Sequence, residues 1–193
     1  MIRLPLSNDP PRWCNVSRPP CGFSLIEVMV ALVVIAVGLL GIAGMQALAL
    51  SNTHIARTRS MATIEASSIA SAMHANPAYW RTGAAPAHLT VIGKASGTWS
   101  ATALNDGPLN GQTSDCSSGP CTGIEMAAYD LKIWGRQLAR QIPGGKGAIA
   151  CLLGANNIVN CTVTVNWNEK NMALNQATRV GTSQHAITLV VQP

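Results

Sequence analysis

The sequence predicts an α+β protein in which a long N-terminal helix, half of it transmembrane, packs on a small antiparallel β-sheet beside a second, shorter helix. An uncharged apolar run of 18 residues extends from Val28 to Met45 and is long enough to cross a bilayer as a helix. Apolar residues recur with a period of about 3.6 between Ile124 and Ile142. Short apolar strands separated by turn residues follow in the C-terminal part of the chain.

The composition indicates one tethered globular domain rather than a protein with many membrane spans. The apolar residues, 48% of the chain, are concentrated near the N-terminus, whereas the later chain is rich in Gly, Ser, Thr, Asn and Ala. Only 4% of the residues are aromatic, so we expect a small core built largely from Ala, Val, Ile and Leu. A length of 193 residues fits one domain and an appendage.

The first 22 residues form a basic leader. Arg3, Arg12 and Arg18 stand among prolines, which exclude a helix interior. Basic residues before an apolar run are typical of a secretion signal and keep the N-terminus on the cytoplasmic side. No A-x-A-like cleavage site follows the apolar run, so we expect this run to be retained and the rest of the chain to lie outside the cytoplasm.

The segment GFSLIEVMVAL resembles the cleavage site of type IV prepilins. Gly22 precedes Phe23, and Glu27 is the fifth residue after that bond. The resemblance implies that a prepilin peptidase cleaves between Gly22 and Phe23 and that the new amine of Phe23 is methylated. It also implies that Glu27 neutralises the N-terminal amine of a neighbouring subunit during filament assembly. The alternative is that Glu27 marks the water boundary of an ordinary single-span anchor.

The resemblance also implies a pilin-like domain organisation. The cleaved leader would be residues 1–22, the helical spine residues 23–76 and the globular domain residues 77–193. Within the spine, residues 23–45 would form the transmembrane segment and the filament core.

Beyond the membrane segment, the spine keeps an apolar stripe opposite a polar face. Such a stripe predicts that one side of the helix packs on the globular domain. Asn76-Pro77 is predicted to end the helix. The residues of the stripe are Leu48, Ile55, Ala62, Ala66, Ile69 and Met73.

Residues 78–123 are predicted to be mainly loop, with possible short strands around His88–Ile92 and Gly97–Ala103. A second helix follows, and Pro143-Gly144-Gly145 ends it. Its acidic residues lie early and its basic residues late, which suits the helix dipole. This segment resembles the corresponding helix of PilV-type minor pilins. Its predicted buried face consists of Ile124, Ala128, Leu131, Trp134 (or Ile133), Leu138 and Ile142.

The C-terminal part of the chain predicts the sheet. Two apolar strands flank a Gly-Ala-Asn-Asn turn in GAIACLLGANNIVNCTVTV, and SQHAITLVVQP supplies a third. The order of these segments predicts antiparallel pairing.

Removal of the leader takes away Cys14 and Cys21, and four cysteines remain, which allow three pairings. In an oxidising compartment an even set of cysteines indicates disulfides. One predicted disulfide closes the short CSSGPC loop, and the other bridges the arms of the predicted hairpin. Zinc binding by the four thiolates is the alternative, which the spacing and the export signal disfavour. The predicted pairs are Cys116–Cys121 and Cys151–Cys161.

No catalytic, metal or cofactor site is predicted. The histidines lie on different predicted elements without ligand spacing. GGKG around Lys146 lacks the upstream Gly and the following Ser or Thr of a phosphate loop, so it is interpreted as a turn. Carboxylates outside the membrane segment are sparse and unpaired, which gives no acid–base couple. The four histidines are His54, His74, His88 and His185.

Charge gives no firm indication of a nucleic-acid partner. Without the leader, the chain has ten basic and seven acidic residues, a formal charge of +3. The sequence contains no cluster of basic residues interleaved with aromatic ones.

These features predict a structural protein and not an enzyme: a minor pilin that joins or primes a type IV pilus through its apolar helix. Its expected partners are prepilin peptidase, other minor and major pilins, the inner-membrane assembly machinery and the membrane. We expect a single-pass inner-membrane protein with a periplasmic globular domain that is then incorporated into the pilus. A type II secretion pseudopilin is the close alternative. An envelope-anchored enzyme or binding protein is the alternative from another class.

Overall fold

The computed structural model describes residues 22–154, 156–170 and 182–193. Most of the predicted leader, with Cys14 and Cys21, lies outside the described residues. Contacts divide the chain into two compact units, Met1–Ala47 and Leu48–Pro193. The described helices are α1 (Leu25–Ala75), α2 (Pro77–Trp80), α3 (Gly107–Asn110) and α4 (Gly123–Gln141). The described strands are β1 (Leu89–Ile92), β2 (Ala103–Leu104), β3 (Lys146–Leu153), β4 (Val159–Lys170) and β5 (Thr182–Val191).

The part of α1 in the first unit is exposed along its described length. Its most apolar 18-residue window has a mean hydropathy of 2.8, so the helix is long and apolar enough to cross a membrane. The helix ends at Ala75 because Pro77 disfavours a helical conformation at Asn76. The predicted Asn76-Pro77 terminator is therefore confirmed.

The part of α1 in the second unit buries one face in the core. Ala62, Ala66, Ile69 and Met73 of the predicted stripe are buried. The stripe prediction was wrong at its N-terminal end, where Leu48 is exposed and Ile55 is only half-buried. Thr58, Glu65 and Ala70 complete the buried face.

Helix α4 begins with a capping box. The Thr122 backbone N–H donates to Glu125 Oε2 at 2.8 Å, and the Thr122 side chain accepts a hydrogen bond from the Glu125 backbone N–H in return. Pro143 follows the last turn and limits its extension. The predicted apolar face is buried apart from Ile124, which is half-buried; the buried members are Ala128, Leu131, Trp134, Leu138 and Ile142.

The described strands form one antiparallel sheet in the order β2-β1-β3-β4-β5. Along β4, Val163, Val165 and Trp167 are buried, while the intervening residues face outward. The core lies between this inner face and the helices α1 and α4, and the Trp134 ring packs directly over Gly147. A Cβ added to Gly147 would lie 2.2 Å from that ring, so only glycine fits there. The predicted fold class is confirmed.

The region predicted as mainly loop contains the short helices α2 and α3, and one of its two expected strands is different from the expectation. The strand expected around His88–Ile92 is β1, but the strand expected at Gly97–Ala103 is mostly a 3₁₀ turn at Trp99–Ala101. The Trp99 ring packs edge-on against Tyr129 of α4, with ring centroids 4.9 Å apart, and this contact holds the turn on the helix. Only Ala103, the last of these residues, enters β2.

Candidate functional site

The predicted cleavage point lies just before α1. Gly22, Phe23 and Ser24 have no regular secondary structure. The Ser24 carbonyl accepts hydrogen bonds from the backbone N–H groups of Glu27 at 3.0 Å and Val28 at 3.2 Å, which starts the helix. Phe23 is 82% exposed. The Gly22–Phe23 bond therefore lies in the short non-helical segment immediately before α1.

Glu27 stands in the first turn of α1, where the helix dipole favours a negative charge. Its neighbours Leu25, Ile26 and Val28 are apolar and exposed. No ion pair of the described residues includes Glu27.

The apolar surface of α1 that follows Glu27 is large and continuous. Its Val, Leu, Ile and Met side chains between residues 28 and 45 are each about half exposed or more. A soluble monomer rarely exposes such a surface, which is typical of a helix packed in lipid or against other helices.

Residues 18–43 match the family model of the prokaryotic N-terminal methylation motif. This chain carries a prepilin-type signal. The matched segment includes Gly22, Phe23 and Glu27, whose geometry is described above. No curated protein and no solved structure matches the chain.

The prepilin-type signal indicates the pilin and pseudopilin class, which is structural rather than enzymatic. It implies processing by a prepilin peptidase and assembly with other pilins. Together with the apolar part of α1, it is consistent with membrane anchoring and with incorporation into a pilus.

Two disulfides lie in the second unit. Cys116 and Cys121 close the short loop before α4, with their Cα atoms 5.7 Å apart. Cys151 of β3 pairs directly opposite Cys161 of β4, and the disulfide joins them across the hairpin. These are the pairs that the loop length and the hairpin spacing predicted.

A buried carboxylate on β4 fastens the sheet to α1. The Glu169 side chain is only 4% exposed and receives hydrogen bonds from Arg59 Nε at Oε1 and Arg59 Nη2 at Oε2, both at 3.0 Å. Trp167 Nε1 donates to the same Oε1 at 2.9 Å. The hydrogen bonds from Arg59 are the main reason that the pKa of Glu169 lies below its usual range. The hydrogen bond from Trp167 lowers this pKa by a smaller amount.

A groove of about 420 Å³ opens beside this ion pair, between α1 and β5. His185 Nε2 lies 3.3 Å from Glu169 Oε2 and 2.9 Å from Ser183 Oγ. These are the residue types of a Ser-His-acid triad. However, the serine and the acid approach the same ring nitrogen, so this arrangement lacks the two-sided relay through the imidazole that a triad needs. The groove is lined by Arg59, Ser60, Thr63, Trp167, His185, Ala186 and Ile187.

A second buried carboxylate joins α1 to α4. Glu65 is 5% exposed, and its backbone carbonyl accepts a hydrogen bond from Trp134 Nε1 at 2.9 Å. Its Oε1 accepts one from Gln141 Nε2 at 3.0 Å, while Oε2 has no partner among the described residues. Burial raises the pKa of Glu65, because desolvation disfavours the ionised form.

Lys132 is a buried cation that holds the segment after α3 against α4. It is 2% exposed, and its Nζ donates to the carbonyls of Asn110, at 2.9 Å, and of Gln112. Burial lowers the pKa of Lys132. Two helix positions away, burial raises the pKa of Asp130 to about 6.

The described residues contain no group of three or more His, Cys, Asp or Glu side chains that could hold a metal ion. His54 and His74 lie on α1, His88 precedes β1 and His185 lies on β5. Lys146 of the GGKG segment starts β3, and Gly144 has a φ of +66°, as expected of a turn residue that follows a helix.

The buried charges Glu65 and Glu169 were not predicted from the sequence. Glu169 continues the alternation of buried residues along β4 two positions after Trp167, and Glu65 falls beside Ala66 on the apolar stripe of α1. In both cases a charged residue occupies a core position of the pattern. That signal predicts a buried charge with a partner, although it does not identify the partner.

Proposed function

We propose that this chain is a minor pilin that joins or primes a type IV pilus. Prepilin peptidase removes residues 1–22, and the new amine of Phe23 is methylated. The observation that carries this proposal is the methylation motif at residues 18–43, which includes most of the exposed apolar surface of α1 between residues 28 and 45.

Glu27 acts in the proposed assembly step as the partner of a neighbouring subunit's N-terminal amine. Its carboxylate is in the first turn of the helix and has no ion pair among the described residues. Opposite charges attract strongly where water is excluded, so the pair would set the register between neighbouring apolar helices. The apolar surface of α1 supplies the packing, and Glu27 supplies the register.

The proposed location follows from the same segment. Before assembly the apolar part of α1 anchors the chain in the inner membrane, with the basic leader on the cytoplasmic side and the globular unit in the periplasm. The two disulfides of the globular unit suit an oxidising compartment. Within the minor pilins, the more specific assignment to the PilV type rests on the sequence of α4 alone.

A pseudopilin of a type II secretion system fits the same motif and the same helix. Deletion of the gene separates the two functions. Loss of surface pili and of twitching motility, with normal exoprotein release, is the expected result. Normal piliation with impaired exoprotein release would instead establish the pseudopilin.

A further inference from the structure

Strand β5 is one edge of the sheet. It pairs with β4 in an unbroken antiparallel register, and no described strand pairs with its other side. In such an edge strand, the N–H and C=O groups of every second residue point away from the sheet. Between Gln184 and Val190, the backbone makes no hydrogen bond with described residues outside the pairing with β4. The outer side of β5 is therefore a regular row of main-chain donors and acceptors.

This edge lacks the features that usually protect an exposed strand. Charged side chains, prolines, bulges and short strands commonly serve that purpose. The sequence of β5, TSQHAITLVV, contains no Lys, Arg, Asp, Glu or Pro. The opposite edge of the sheet, β2, is only the two residues Ala103–Leu104. Of the two edges of the described sheet, β5 alone is long enough to pair with a full further strand.

Apolar side chains of β5 are exposed on both faces of the sheet. Leu189 lies opposite the buried Val163, so it belongs to the inner face, and it is 37% exposed. Val190 belongs to the outer face and is 70% exposed. A ligand bound to one face would cover only one of these side chains. A strand added beside β5 would cover both, because its own side chains alternate between the two faces.

The groove between α1 and β5 provides space for the inward side chains of an added strand. Its volume is about 420 Å³, and Arg59 and Thr63 belong to its α1 wall. His185 and Ile187 line the β5 wall two positions apart, which is about 7 Å along a strand. The groove is polar beside Arg59 and His185 and apolar beside Ile187. It therefore fits an added strand with a polar inward side chain followed, two residues away, by an apolar one.

A second copy of this chain is a poor occupant of the edge. Two β5 strands that pair with their helices on the same face of the joined sheet run antiparallel, so the two copies would point in opposite directions. Subunits of a filament that associate head-to-tail all point the same way. Head-to-tail pairing of β5 with β2 would be limited to two residues. This step rests on the proposed filament role.

We propose that the outer edge of β5 accepts an extended segment of a different polypeptide, which adds a sixth strand to the five-stranded sheet. Main-chain hydrogen bonds to β5 supply the affinity. The specificity comes from alternate side chains of the segment that enter the groove, apolar beside Ile187 and Leu189 and polar beside Arg59. The inference goes beyond the filament role, because that role uses the apolar part of α1 and not the sheet.

A synthetic peptide tests this edge on the full chain in detergent micelles. The probe is VNSTVTVNWN, which copies residues 159–168 with serine in place of Cys161. In the chain, most of this sequence already pairs with the other side of β5, so its alternation matches the two faces. A peptide of the same composition with its apolar residues placed together is the control.

Residue-resolved amide exchange, measured by NMR, gives a signature that only strand addition produces. The N–H groups of every second residue between Gln184 and Val190 should exchange fast in the free chain. They should slow about tenfold when the free peptide exceeds its Kd about tenfold. The intervening N–H groups, already bonded to β4, should not change. No slowing of the alternate amides, or equal slowing by the control peptide, would overturn the proposal.

Lysine substitutions separate the edge from the face of the sheet. Ala186→Lys/Thr188→Lys places two charges on the edge strand and should weaken binding of the peptide about tenfold. Asn166→Lys/Thr164→Lys places the same charges at the directly opposite positions of β4 and should bind like the wild type. Thermal melting confirms that both variants are folded. Equal loss of binding in two folded variants would place the peptide on the sheet face and overturn strand addition.

The wild-type chain without peptide tests the choice of partner. Its alternate β5 amides should exchange fast at every protein concentration. Slow exchange that becomes fast on dilution would show that β5 pairs with a second copy, and would overturn the assignment to a different polypeptide. These results do not depend on cleavage at Gly22 or on pilus incorporation, so the inference and the proposed function can fail separately.

Discussion

Arg59 and Glu169 are 110 positions apart in the sequence, yet the guanidinium of Arg59 holds both carboxylate oxygens of Glu169 at 3.0 Å. Arg59 lies on the polar side of α1, and its side chain is 56% exposed, whereas Glu169 is almost completely buried on β4. The pair therefore fixes how the helix and the sheet of the second unit register against each other.

Arg59→Met should lower the melting temperature of the processed protein in detergent by roughly 2–5 °C, because Glu169 stays buried without its cation. The pKa of Glu169 is lower in the folded protein than in the unfolded chain. The contribution of this group to stability is therefore fully present above the unfolded pKa and is lost as pH falls through the folded pKa. Arg59→Met should not show this loss of stability at acid pH. Arg57→Met removes an exposed arginine two positions earlier and should melt like the wild type. Equal melting of both variants would contradict the role of the pair.

Asp130→Asn should raise the free energy of unfolding at pH 7.5 by about 1–2 kcal/mol. The gain is smaller than it would be at a fully buried site, because the Asp130 side chain is only half-buried. Burial raises the pKa of Asp130 in the folded protein from 3.8 to about 6. The contribution of Asp130 to stability is therefore fully present below pH 3.8 and is lost as pH rises through 6. Urea unfolding of both proteins at pH 4 and pH 7.5 measures the difference, which should shrink toward pH 4.

Asp115→Asn is the control for that measurement. Hydrogen bonds from Ser117 lower the pKa of Asp115, the opposite direction to Asp130. This substitution should therefore bring no gain in stability at pH 7.5. A gain equal to that of Asp130→Asn would show that the effect is general charge reduction and not burial.

The sequence predicted the elements with strong local signals. The apolar run, the Asn76-Pro77 terminator and the repeat of α4 depend on neighbouring residues, and each predicted element is present. The 3₁₀ turn at Trp99–Ala101 depends instead on the contact with Tyr129, and the two-residue β2 exists only because β1 pairs with it. Such contacts have no periodicity along the chain.

The residues of the candidate site also differ in whether the sequence alone could predict them. Gly22, Phe23 and Glu27 form a contiguous motif that the sequence displays directly. The Arg59–Glu169 pair arises instead from residues far apart in the sequence that the fold brings together.

The disulfides give a third prediction. Non-reducing peptide mapping of the processed protein should recover the Cys116–Cys121 and Cys151–Cys161 peptides. Replacing both Cys151 and Cys161 by Ser should cost about 2–4 kcal/mol of stability, because the unfolded chain regains the freedom of the closed loop. Reduction of the wild type should give the same destabilisation plus the smaller effect of the short loop. Cross-paired peptides, or four alkylatable thiols, would contradict the assignment.

Glu27→Gln keeps the size of the side chain and removes its charge. We expect normal cleavage and stable membrane insertion, but a fall of about tenfold or more in the amount found in sheared pili, because a neighbour's amine loses its partner in an apolar environment. Glu27→Asp keeps the charge and should retain part of the incorporation. Wild-type incorporation of Glu27→Gln would contradict the assembly role and favour a simple membrane tether.

Mass spectrometry of the N-terminal peptide, prepared from the membrane-bound protein of the native host, tests most directly whether this chain is processed as a prepilin. The peptide should begin at Phe23 and carry one additional methyl group on its amine. A variant in which Gly22 is replaced by a bulky residue should retain the leader and serves as the control. A wild-type chain that keeps residues 1–22, or begins at an unmethylated residue beyond Met45, would contradict the proposed function.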